Sequence, residues 1–115
     1  MENTPVEFEQ SVQEALDSLP ADLRGQMSNL AVVIEDESPP GQPLLGLYQG
    51  VPLTRRSVWS SGALPDKITI YRGPLERLYG ADAERLHREI KRVVLHEVAH
   101  HFGISDERLV ELDRY

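Results

Sequence analysis

The chain has 115 residues, 40% of them hydrophobic and 27% charged, which suits one small soluble domain with a modest core. It contains no cysteine, so disulfides and thiolate-held metals are excluded, and histidines and carboxylates are the strong ligands that remain. The formal net charge of -7 is concentrated early: residues 1–50 carry nine acids against Arg24 alone, and residues 51–115 are close to neutral. An acidic chain without a basic stripe is a poor nucleic-acid ligand.

The opening "MENTPVEFEQ" is acidic and lacks the apolar stretch of a secretory signal. No apolar run approaches the length needed to span a bilayer. The expectation is a cytoplasmic, single-domain protein over residues 1–115, its acidic half a solvated surface.

Val6, Phe8, Val12, Ala15, Leu16 and Leu19 recur at mostly helical spacing and predict an amphipathic helix over about 6–18, stopped by Pro20. "NLAVVIEDE" predicts a strand that runs into the Pro/Gly loop "SPPGQP". The long segment 44–66 is broken by Gly and Pro, with a short strand expected at "LLGLY". "KITIYRG" alternates Ile68 and Ile70 with polar neighbours and reads as a strand, half buried or at a sheet edge. The longest helix is expected over about 82–101, with Asp82 as N-cap and Gly103 as terminator, and "SDERLVELDRY" predicts a short final helix. The fold class is α+β.

The long helix poses a problem of solvation. Leu86, Ile90, Val93 and Val94 form one apolar stripe, and Glu97, His100 and His101 continue it while His96 stands at its margin. Ionisable groups on so apolar a helix need partners. A metal ion supplies one. In "HEVAH" the two histidines stand at i and i+4, so both imidazoles project from one side of the helix towards one centre. Glu97 follows the first and can act as general base on a water there.

A catalytic zinc site takes three protein ligands and keeps one position open. The downstream candidates are His101, Asp106, Glu107 and Glu111. His101 is rotated about 100° from His100 along an ideal helix. If 105–114 is helical, Asp106 shares the side of Leu109 and Val110, and it is the preferred third ligand, with His101 and Glu111 as the alternatives.

The string "HEVAHHFGISD" matches HExxHxxGxxD, the extended metzincin pattern with Asp in place of its last His. The chain resembles the small bacterial zincin-like metallopeptidases over most of residues 40–112, including "LLGLYQGVPLTRRS", "KITIYRGPLE" and "HEVAHHFGISDERL". The resemblance implies a minimal zincin fold: an N-terminal helix, a small mixed sheet packed on a long active-site helix, and a short C-terminal helix. It also implies one zinc ion, with His96, Glu97, His100, Gly103 and Asp106 matching residue for residue. Met1 and Met27 both lie upstream, so the Met-containing turn of larger metzincins has no counterpart after the motif. The expected activity is therefore peptide-bond hydrolysis on short or unfolded peptides. The alternative is a zinc-stabilised binding or regulatory domain without turnover.

Several residues carry weaker signals. "KITIYRG" offers a strand against which an extended substrate could pair. Tyr71 or Tyr48 could donate to a developing oxyanion, although packing is the commoner role of such tyrosines. Tyr115 could frame the site or fray. Arg55, Arg56 and Trp59 sit in the long loop. Arg85, Arg88, Lys91 and Arg92 read as the exposed face of the long helix, and His87 lies outside the site.

Overall fold

A computed structural model describes residues 5–25, 30–50 and 66–103. The elements are α1 (Pro5–Asp17), α2 (Ala21–Gly25), β1 (Leu30–Glu35), β2 (Gly46–Gln49), β3 (Asp66–Tyr71), α3 (Arg72–Tyr79) and α4 (Ala83–His101). The architecture is α+β, as the sequence predicts. No described helix is long and apolar enough to cross a membrane.

The three described strands form one mixed sheet in the order β1-β3-β2, with β1 parallel and β2 antiparallel to β3. This corrects one expectation. The "KITIYRG" strand occupies the centre of the sheet, so both its hydrogen-bonding edges are already paired and no peptide can add to it. Its burial explains the misreading. Ile68 and Ile70 are fully buried, and Thr69 and Tyr71 on the opposite face are buried as well, so residue alternation here does not mark a solvent face.

α3 leaves β3 without a connecting loop and was not expected from the sequence. Gly73 and Pro74 read as breakers, but they lie in the first turn, where a proline removes no intrahelical bond. Leu75, fully buried, anchors this helix to the core.

α4 runs between the sheet and α1. Its N-terminus is capped as predicted: the Asp82 carboxylate accepts from the backbone N–H groups of Glu84 (3.0 Å) and Arg85 (3.3 Å). Leu86, Ile90, Val94 and Val98 meet Phe8, Val12 and Ala15 of α1 and Ile68 and Ile70 of β3 in one cluster. Each fully buried Ile or Leu contributes about 1.5–3 kcal/mol. A polar pin reinforces the α1–α4 contact: His87 Nδ1 lies 2.9 Å from Ser11 Oγ, and its Nε2 lies 3.1 Å from Glu14. Gly103, with φ of 85°, takes the left-handed conformation that ends the helix. The final helix expected over 105–114 lies outside the described residues.

Candidate metal centre

The last two turns of α4 build the site. His96, Glu97 and His100 each bring one ligand atom within 4.8 Å of the others. The two imidazoles meet edge to face, centroids 4.8 Å apart and planes at 75°. Helical periodicity alone produces this convergence, since residues four apart stand above one another on one face. Glu97 is 7% exposed, and both histidines are half-buried.

β2 supplies the facing wall. Leu45, Gly46, Arg92, Val93, His96 and Glu97 line a partly open pocket of ≈ 190 Å³. Gly46 makes the close approach possible. A Cβ on it would stand 2.7 Å from Val93 Cγ1 and 3.2 Å from Glu97 Cγ, so any side chain there would push into Val93 and Glu97. The Tyr71 N–H donates to the Leu45 carbonyl at 3.0 Å. By the alternation of an antiparallel ladder, Leu45 and Leu47 then turn their backbone groups to β3, and Gly46 turns its own away from β3.

His101, an alternative ligand by sequence, is committed elsewhere. It is 1% exposed, and its Nδ1 lies 2.8 Å from Asp66 Oδ2. The same oxygen accepts a 2.5 Å hydrogen bond from the Tyr48 hydroxyl, and the Tyr48 ring meets the His101 imidazole edge-on. One helix end thus sends adjacent imidazoles in two directions, His100 to the cluster with His96 and Glu97 and His101 to Asp66 of the sheet. His101 Nε2 is buried without a hydrogen-bond partner among the described residues.

Neither candidate tyrosine lines the pocket. Tyr48 faces α4, but its hydroxyl is donated to Asp66. Tyr71 belongs to the opposite face of the sheet; burial, helped by the charge of Glu35, raises its phenol above the usual value and keeps it protonated. Asp106, Glu107, Glu111, Tyr115, Arg55, Arg56 and Trp59 lie outside the described residues.

Arg92 is the pocket residue that sequence reasoning missed. It is exposed, as expected of its helix face, yet it lies on the pocket wall. Its position four residues before His96 was the available signal.

The donor set fits a divalent ion. The two imidazole nitrogens suit zinc, whose tetrahedral shell would place ligand atoms roughly 3.4 Å apart, within side-chain adjustment of the observed pair, and the Glu97 carboxylate lies close enough to reach a water on such an ion. An α+β domain with a His/Glu/His cluster on the helix that packs against its sheet defines the zincin class of fold. The chain belongs to the zincin-like metallopeptidase family, whose model matches residues 27–115. A similar solved structure is a conserved hypothetical protein from Thermus thermophilus, 24% identical, with a TM-score of 0.61 over 87% of this chain and 94% of that one. It supports the fold. No curated protein gives a significant match.

Proposed function

We propose that the protein is a zinc-dependent metallopeptidase acting on short or unfolded peptides, with His96, His100 and Asp106 as ligands and Glu97 as general base. The observation that supports it is the convergence of His96, Glu97 and His100 beside an open pocket. A bound zinc ion supplies Lewis acidity, making a water acidic near neutral pH and polarising the substrate carbonyl. Glu97 takes the water proton on its carboxylate and later delivers it to the leaving amine. Its burial against Gly46 holds that carboxylate at the pocket wall and limits competing solvent.

The sheet edge offers a way to orient the peptide. Among the described residues β2 is the edge strand beside α4, and the outward N–H and C=O of Gly46 can pair with an extended chain laid along the pocket. This role passes to β2 from the strand the sequence suggested. The commitment of His101 to Asp66 also favours a hydrolase over a closed structural site, because it removes one side chain that could have filled the open ligand position.

Glu97→Gln tests the reading. Metal content by elemental analysis should stay at one ion per chain, while chelator-sensitive cleavage of a peptide library falls at least about a hundredfold. Equal cleavage by variant and parent would rule out Glu97 as base. Full metal loading with no cleavage by the parent would leave a metal-stabilised binding domain.

A further inference from the structure

We infer that Arg92 makes this a carboxylate-recognising site, selecting peptides that carry an acidic side chain or a free C-terminus within two residues of the reacting carbonyl. The inference rests on the peptidase reading for the identity of the ligand, and on the pocket alone for its chemistry.

Among the described residues, the pocket holds one cation. Leu45 and Val93 are apolar, Gly46 presents backbone, and His96 and Glu97 belong to the metal cluster. Arg92 is held rather than loose: its Nε donates to Glu89 at 2.8 Å, and the Tyr79 phenol also lies beside it. The bonds to Glu89 and to the Tyr79 phenol use two of the five guanidinium N–H donors and leave three for a ligand. A planar fork fixed in this way is suited to bidentate capture of a carboxylate. Glu97 repels an anion at the other end of the pocket, so the carboxylate belongs at the Arg92 end and the carbonyl at the metal end.

The spacing agrees. Arg92 and His96 are four residues apart on one helix, about 6 Å along its axis. An extended peptide covers about 7 Å in two residues. A carboxylate on Arg92 therefore leaves a carbonyl one or two residues away beside His96 and Glu97.

Three probes separate the possibilities: an acetylated, amidated alanine tetrapeptide with one internal glutamate, the same peptide with glutamine, and acetylated tetra-alanine with a free C-terminus. Binding is measured by NMR titration on the parent, Arg92→Gln and Arg92→Lys, each zinc-loaded and chelator-treated, with folding checked by circular dichroism. At least one carboxylate peptide should bind the parent tenfold or more tightly than the glutamine peptide, and which one does so identifies the carboxylate. Arg92→Gln should erase the difference, Arg92→Lys should keep part of it, and zinc removal should leave it in place. A difference under twofold, one that survives in Arg92→Gln, or one that vanishes with the zinc would overturn the assignment, the last because the carboxylate would then be sitting on the metal. A digest of the same peptides keeps the two readings apart: preference without cleavage refutes the peptidase and retains the carboxylate site.

Discussion

Gly46 is the position where a single atom separates a working pocket from a blocked one. Its missing Cβ lets β2 lie against Val93 and Glu97. Gly46→Ala should lower stability by about 1–3 kcal/mol, the usual cost of overpacking a tight contact. It should also reduce peptide cleavage by displacing Glu97, with metal content unchanged. Urea denaturation and a cleavage assay on the same preparation check both effects. A variant as stable and active as the parent would show that the contact is loose. In the sequence this glycine was only a punctuation mark in "LLGLY". The chemistry-bearing residues were readable because His96, Glu97 and His100 meet through local helical geometry. Gly46 and Arg92 were not, because what makes them matter is a wall contributed by a strand far from α4 in the chain.

The helix and the sheet are joined by a buried polar contact rather than by apolar packing alone. Asp66, at the start of β3, receives both the His101 side chain from the end of α4 and the Tyr48 hydroxyl from β2. Removing the carboxylate strands two polar partners out of water. Asp66→Ala should therefore cost about 3–5 kcal/mol, the range for breaking a buried hydrogen-bonded pair. Chemical denaturation measures it, and a loss below about 1 kcal/mol, the net worth of one ordinary hydrogen bond, would mean that the partners find other acceptors. The elements themselves were largely legible. The amphipathic N-terminal helix, the first strand and the capped long helix follow from periodicity and from Asp82. The central placement of β3 and the immediate start of α3 were not, since strand order depends on pairings distant in sequence and Pro74 signals a break or a helix start equally well.

In the whole molecule, a metal held by the cluster would be coupled to folding through α4. The helix that carries the cluster also carries Leu86, Ile90, Val94 and Val98 of the core, so an ion bound to its last turns stabilises the element on which both α1 and the sheet rest. Zinc at about a hundred times its dissociation constant should add about 2.7 kcal/mol, which for a domain of this size raises Tm by roughly 10 °C. Glu97→Gln should keep that increment and His96→Ala should lose it. Differential scanning calorimetry with and without chelator decides it, and a Tm indifferent to zinc in the parent would argue against a resident ion. The charge imbalance along the chain belongs to this scale too, and it marks the surface rather than the site.

The pairing of Gly46 with Ile70 has one more consequence. If β2 were threaded against β3 one step out of place, every side chain on it would exchange faces, and Leu45 or Leu47 would arrive where the glycine now stands. Such a misaligned molecule would keep an intact cluster on its helix and would still take up an ion, yet an isobutyl group would plug the entrance. If the protein is the peptidase proposed above, preparations fully loaded with metal but short of catalytic titre would be an expected product of faulty strand alignment, and counting ions would overstate the number of competent molecules.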